Sequence, residues 1–551
     1  MSRDTGPTAP VDGHQPAVGE SVESDGFDAP GLVVRFAAPG RRGPLTLSQA
    51  NILWIFHNVL DVDLNQSLSV PLPEGMSVRE LSEVLGRLLA GFEALRTVLE
   101  PVDDPEQLVL AGGELDVRIC DRMSAAPAMA VLRRPFTPAE LPIRALVLRD
   151  GPLRTLLLEC SHLAADLAGM RVIERAIRQS WEPAGTRPAR AEARQPVDQA
   201  LVEHEDAQRR RASAALDYWV RTLGRVPQAM FALPRPQAGE ARLWHAELRS
   251  RALALGADAV ARRCRVSRSA ALLTAMAALV GLYTGNDTCV VASLSGNRSE
   301  PRLQDYVGTL VQDALMELPV RGETFDELVR RCWPAILDAY RHGRFDAAEL
   351  WRRVGGVGER RGTHFFRDFA FNDQRDDAGS DGAATAGESA LRWLDTQSQG
   401  ETFVFDVHRL DEDVAEVSLR ADGRLLPREL VEALLTGMER LIVDAATRDV
   451  PMPEVPAVTG IRPLRRGPEW LMIDSCWVDV TEVRQLLLDL PGVLDAEIAT
   501  VPSGAPELHA RVVVASAGPT PASLREACLA RLPDRPAAMV PSRYTVVPGP
   551  R

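Results

Sequence analysis

The sequence predicts an α/β protein of several packing units, and three observations carry this. At 551 residues with 45% hydrophobic residues, the chain is long enough for about three or four domain-sized cores. Leu156, Leu157 and Leu158 form a buried-strand run ending at Cys160, and Ala168, Val172, Ile173 and Ile177 follow at helical spacing. Beyond Gly467, helical and strand spacings alternate and read as a small α+β module, with helices at 480–490 and 520–532 and strands at 496–501 and 508–514.

Residues 1–29 hold Gly, Pro, Ser and acidic residues with little apolar material, too little to offset the entropy of ordering, and read as a disordered tail. A first lobe spans 30–181, and a Pro-, Ala- and Arg-rich connection follows over 182–205. The second lobe, 206–449, opens on a helix whose Arg209, Arg210 and Arg211 read as a solvated face. Within it, Asp376–Ser389 reads as a mobile surface loop and Gly355–Gly362 as a turn. Prolines at 451, 453, 456 and 463 mark 450–466 as an interdomain linker with few crossing contacts, leading to the module at 467–551.

Charge and composition exclude several functions. There are 76 acidic and 63 basic residues, a formal net charge of -13, so nucleic acid is not an expected partner. Every basic residue is arginine, which rules out Schiff-base, P-loop and adenylate-forming lysines. No stretch approaches the roughly 18 apolar residues of a membrane span, and no basic-then-apolar leader opens the chain; a cytoplasmic protein with no membrane contact is expected. The seven cysteines are scattered and never in CxxC spacing, so neither a disulfide framework nor a metal site is expected. GxSxG, HExxH, EF-hand and strand-led GxGxxG signatures are all missing.

Nine histidines remain, and four of them, His57, His162, His342 and His364, have aspartate four residues later. Three lie in apolar or aromatic runs that read as ordinary helix or strand. His162 differs, because it sits on a strand-to-helix turn with Asp166 at the helix start, where backbone N–H groups and the helix dipole favour negative charge. On these grounds alone His162 stands equally as a catalytic residue or a satisfied core histidine.

The order of several segments adds a resemblance. SHLAADL at 161–167 resembles the HHxxxDG active-site motif of nonribosomal peptide synthetase condensation domains, members of the chloramphenicol acetyltransferase superfamily. LTLSQANILW at 45–54, FEALRTVL at 92–99, the Tyr218–Trp219 pair and SGNRSEPRLQDYVGTLVQD at 295–313 resemble further motifs of that family in the same order. AYRHGRFD and HFFRDFAFND are similar to its later elements, so the resemblance spans about residues 40–450. This chain departs from the pattern at Phe92, Ser161, Leu167 and Gln312, where the family has His, His, Gly and Asn.

The resemblance implies two chloramphenicol-acetyltransferase-like α/β lobes in a V, with His162 as the catalytic histidine at their interface. It implies that Asp166 pairs with Arg298 to hold the loop and that Cys160, Ser161, Leu167 and Gln312 border the substrate tunnel, with Leu167 narrowing or closing it. Backbone N–H groups at the helix start would stabilise an oxyanion. The implied reaction is amide formation in natural-product and antibiotic biosynthesis, from a thioester on the phosphopantetheine arm of a peptidyl or acyl carrier protein to a small-molecule amine, with no bound cofactor. Lacking a recognisable carrier or complete adenylation domain, the chain is expected to act as a free-standing condensation enzyme. A degenerate recruitment domain of the kind that docks oxidases onto carrier-bound peptides, and a coenzyme-A-dependent acyltransferase, are the alternatives. Residues 467–551 resemble the small C-terminal subdomain of adenylate-forming enzymes, serving as a carrier contact surface or as a non-catalytic cap on the second lobe.

Overall fold

The computed structural model describes residues 31–549 except 59–63, 101, 103–104, 122, 182–192, 235–242, 376–388, 396–401, 502–505 and 516–517. The expected tail, the 376–388 part of the expected loop, the first half of the lobe connection and Asp61 lie outside these residues.

The first lobe is built on a five-stranded sheet in the order Leu32–Ala37, Gly112–Asp121, Ile143–Arg149, Leu153–Cys160, Gln66–Pro71. Its neighbours are antiparallel except the central pair Gly112–Asp121 and Ile143–Arg149. Helix Val78–Gly91 starts with a Ser77–Glu80 capping box and buries Leu81, Val84, Leu85, Leu88 and Leu89 at helical spacing. Each such leucine, removed from water, contributes about 1.5 to 3 kcal/mol. Helix Leu167–Gln179 adds Met170, Val172, Ile173 and Ile177 to the same core.

The second lobe carries a seven-stranded mixed sheet in the order Gln312–Pro319, Thr288–Ser295, Ala370–Asp373, Phe403–Leu410, Ala415–Asp422, Leu243–Ser250, Ala390–Trp393. Helix Arg268–Thr284 is apolar on all sides, and a helix of that kind has to be enclosed; residues 269–281 are all buried. Ser267 caps its first turn and Gly285 ends it in the left-handed region. Helices Arg251–Cys264, Phe325–Arg341 and Arg428–Thr447 pack around it. Among the described residues no single helix is long and apolar enough to cross a membrane.

Two expectations need correction. Gly355–Gly362 is not a turn: helix Ala347–Arg361, capped by Asp346, runs through it and stops at Gly362, whose φ is 70°. Nor is 450–466 a loose linker with few crossing contacts. Val450, Val455 and Ile461 are buried, and the backbone bonds Phe325 N–H to Val450 O, Met452 N–H to Glu323 O and Leu464 N–H to Tyr283 O join it to the second lobe. Spacing of prolines signals a break in regular structure; here the apolar residues between them still pack.

The C-terminal module follows the expected order, with helices Val480–Leu488 and Pro521–Leu529 over strands Val493–Val501, Glu507–Val514 and Arg543–Pro548, plus the hairpin Trp470–Ile473 and Cys476–Asp479. It is fastened to the second lobe. Gln228 donates to the carbonyls of Pro536 and Ala538, Arg361 holds the Asp474 carboxylate at 2.6 Å, and Val540 N–H reaches Gly362 O at 2.8 Å. A Cβ at Gly362 would lie 2.6 Å from Val540 O, so this approach needs glycine. Arg466 packs over Trp470 and Trp477, its carbon 5.2 and 4.3 Å from the ring centroids, and donates to Thr284 O and Ala232 O.

Candidate functional site

Strand Leu153–Cys160 ends where Ser161 N–H bonds to Pro142 O, and the N–H groups of Ala164 and Ala165 turn back to Ser161 O. That turn carries His162 and delivers Asp166 to the N-cap of helix Leu167–Gln179. Asp166 Oδ1 accepts from Gly169 N–H at 2.8 Å and from Arg298 Nη2 at 2.6 Å, while Oδ2 accepts from Leu310 N–H at 2.9 Å. The Asp166 and Arg298 side chains are 6% and 13% exposed. The expected pair is therefore formed, and it joins the two lobes.

Arg298 does more than pair. It also donates to the carbonyls of Leu303, Tyr306 and Gly308, gathering the second-lobe loop 303–310 against the first lobe. Val307 of that loop is buried in the first lobe's core. Gly308 is required beside the Tyr306 ring, since a Cβ there would sit 2.3 Å from it. The loop also brings Thr309 Oγ1 to 3.5 Å from His162 Nδ1. Further interlobe ties are the Arg171 bonds to Gln374 O and Arg375 O, the Arg175–Asp305 pair and the Trp54–Trp351 stack at 5.2 Å.

His162 is half-buried as a residue. Burial pushes its imidazole below the ordinary value and outweighs the opposing pull of the Asp166 charge. The ring is thus neutral at neutral pH, with one lone pair able to take a proton.

The remaining predicted residues divide. Ser161 borders, with Leu163, Ala164, Gln49, Thr97 and Thr137, a small cleft of the first lobe. Cys160 does not line a tunnel: it is fully buried in the first lobe's core, and desolvation pushes its thiol far above the ordinary value, away from the reactive thiolate. Gln312 is 1% exposed and spends its amide on the backbone of Phe345, donating to its carbonyl at 2.9 Å and accepting its N–H at 3.3 Å. Its role is to hold strand Gln312–Pro319 to the 345 region, which corrects the tunnel assignment. Leu167, expected to narrow or close the tunnel, is 42% exposed at the first helical position. Of the helix-start donors, Gly169 N–H is committed to Asp166 and is not free for an oxyanion.

Two of the other HxxxD pairs, His342–Asp346 and His364–Asp368, lie wholly within the described residues and are structural. His342 bonds to Asp338 O and stacks on Tyr218 at 4.5 Å, while Asp346 caps a helix. Asp368 accepts the N–H groups of Met230 and Phe231. Thr309, Tyr306 and the Leu310 N–H carry no signal in the sequence beyond their place in YVGTLVQD, residues 306–313. All seven cysteines are free and buried, and among the described residues no three His, Cys, Asp or Glu groups cluster as metal ligands would.

Because Cys160 is enclosed and protonated, Cys160→Ala should retain most of any acyl-transfer rate the wild type displays, at a stability cost of about 1 kcal/mol. Intact-protein mass spectrometry of the wild type with a thioester donor should show no acyl adduct. Abolished turnover in this variant would point instead to a covalent thioester route.

The condensation-domain family model matches residues 41–447. The chain is 28% identical over 330 residues to a probable non-canonical nonribosomal peptide synthetase, CymA, of Salinispora arenicola, covering 54% of this chain and 4% of that protein. It spans between 2% and 8% of the length of the first three curated relatives it matches. Among solved structures, SgcC5 from Streptomyces globisporus aligns over 74% of this chain and 100% of its own, at TM-score 0.53 and 20% identity. The X-domain in complex with OxyB from teicoplanin biosynthesis aligns over 75% of this chain and 96% of its own, at TM-score 0.58 and 18% identity. These likenesses show a shared chloramphenicol-acetyltransferase-like fold.

Proposed function

Because the chain belongs to the condensation-domain family, we propose that it forms an amide bond between an acyl or aminoacyl thioester, delivered on the phosphopantetheine arm of a carrier protein, and an amine acceptor. The observation that carries this reading is the neutral, partly exposed His162 held on a turn that Asp166 and Arg298 pin between the lobes. The amine nitrogen attacks the thioester carbonyl carbon, and His162 Nε2 accepts the proton the nitrogen gives up. As the tetrahedral intermediate collapses, the C–S bond breaks and the same proton returns to the departing thiolate. No group on the enzyme is acylated and no bound cofactor enters. A cytoplasmic place in natural-product assembly is part of the same reading.

A second reading is kept because of Ser161 and Leu167, where the family pattern has His and Gly, and because of the likeness to an X-domain solved with a partner protein. In that reading the chain recruits a partner to a carrier and does no chemistry.

Three donors with one acyl group distinguish the outcomes: carrier-bound, coenzyme-A-bound and a small soluble thioester mimic, each offered to a panel of amines. Amide product chiefly from the carrier-bound donor supports the condensation reading. Equal use of coenzyme A indicates a coenzyme-A-dependent acyltransferase, and carrier binding without product from any donor indicates recruitment.

A further inference from the structure

We infer that Asn297 is a positioning residue for the His162 turn: from the second lobe it fixes the two donors, Arg298 and the Leu310 N–H, that hold Asp166. The inference rests on the reading of His162 as the proton acceptor. Four non-glycine residues among those described have positive φ: Arg265, Asn297, Asp474 and Ser475. Arg265 ends helix Arg251–Cys264, and Asp474 and Ser475 form the turn between the paired strands Trp470–Ile473 and Cys476–Asp479, both ordinary reasons for left-handed backbone. Asn297, at φ 52°, has neither reason: it lies just past strand Thr288–Ser295, at no helix end and in no two-residue turn. A side chain in this region costs free energy, and asparagine is among the residues that bear it best. Such backbone persists where the contacts around it over-determine it.

Those contacts come from three segments. Asn297 Nδ2 donates to Leu310 O at 2.9 Å and to Gly343 O at 2.8 Å, and Oδ1 accepts from Ser295 Oγ at 3.1 Å. Both partners of Nδ2 are carbonyls, which only accept, so the orientation of the amide is fixed. The Asn297 carbonyl accepts from Arg344 Nη2 at 2.8 Å. The residue thus ties the end of its own strand to the loop 303–310 and to the segment that follows helix Phe325–Arg341. Leu310 is claimed from both lobes, its carbonyl by Asn297 and its N–H by Asp166 Oδ2 at 2.9 Å. Arg298, the other second-lobe donor to Asp166, is the next residue in the chain, so the left-handed turn at Asn297 sets the direction in which it leaves the strand. Asp166 in turn caps the helix that ends the His162 turn. The hydrogen bonds of Asn297 do not reach His162 itself; it acts through Asp166.

The test separates side chain from backbone. Asn297→Gly keeps the left-handed backbone without steric cost and removes the amide, whereas Asn297→Ala removes the amide and strains the backbone as well. With carrier-bound donor, Asn297→Gly is expected to lower kcat about tenfold or more with little change in KM, and Asn297→Ala to lower it further. Ser295→Ala, which frees only the Oδ1 end, is the milder second variant and should act in the same direction by less. Arg466→Ala, which touches none of these groups, controls for general destabilisation and should keep the wild-type kcat below its melting transition. His162 also reports without turnover. Asp166 is the charged group facing the ring, with Arg298 behind it, and its charge favours the imidazolium. An Asp166 held less firmly favours it less, so the His162 midpoint in histidine-labelled NMR spectra, assigned with His162→Ala, should move to lower pH in Asn297→Gly and stay in place in Arg466→Ala. The acid limb of the pH–rate profile should move with it. Unchanged kcat and midpoint in Asn297→Gly, or equal changes in Arg466→Ala, overturn the inference. A wild type that makes no amide, but whose His162 midpoint still moves in Asn297→Gly, supports the positioning role and rejects the condensation reading instead.

Discussion

Asp166→Asn is expected to lower thermal stability and acyl transfer together. The carboxylate serves three donors from two lobes: Gly169 N–H, Arg298 Nη2 and Leu310 N–H. An asparagine offers one oxygen and one NH2 group. Whichever way it is turned, an N–H then faces another donor, either the Leu310 backbone or the Arg298 guanidinium. Breaking one side of a buried ion pair typically costs about 3 to 5 kcal/mol. The low end of that range is expected here, since Arg298 keeps the carbonyls of Leu303, Tyr306 and Gly308. Because the loop bearing Thr309 is released at the same time, transfer should fall by about 10² or more. Thermal denaturation and a transfer assay on the same preparation check both halves. An unchanged melting temperature would show that the pair does not hold the site.

Removal of residues 467–551 is expected to give an insoluble or strongly destabilised protein. The cut would strip Gln228 of its Pro536 and Ala538 acceptors, Arg361 of Asp474, and Arg466 of both tryptophans. It would also open the apolar cluster of Ala232, Trp470 and Ala537. Unpaired buried polar groups cost about 1 to 3 kcal/mol each, so several such losses amount to much of a domain's stability. Arg466→Ala, which removes only the double stacking and two carbonyl bonds, should cost about 2 kcal/mol. Soluble expression with an unchanged melting temperature after the cut would show that the module is an independent appendage.

Local chemistry explains what the sequence made legible. The strand run to Cys160, the helix from Leu167 and the N-cap at Asp166 depend on neighbours a few residues apart, and all were readable. The Asp166–Arg298 pair spans 132 residues and came from the family resemblance, not from spacing. Thr309 had no such guide: a threonine between a glycine and a leucine carries no local signal, and its meaning comes from a loop that crosses between lobes. Gln312 and Cys160 were misjudged for the same reason, because proximity to the motif does not say which way a side chain points. Along the strand Cys160 faces the core, and Gln312 is consumed by the Phe345 backbone. The proline-rich segment failed differently. Proline counts report backbone restriction, whereas Val450, Val455 and Ile461 decide whether the segment packs.

The central claim is direct transfer from a carrier thioester with His162 as proton acceptor, and single-turnover transfer by His162→Ala tests it most directly. With acyl carrier protein and amine saturating, the variant is expected to be about 10² to 10⁴ slower than the wild type while remaining folded, since half-buried His162 is not among the core residues. A wild-type rate in folded His162→Ala would contradict the account.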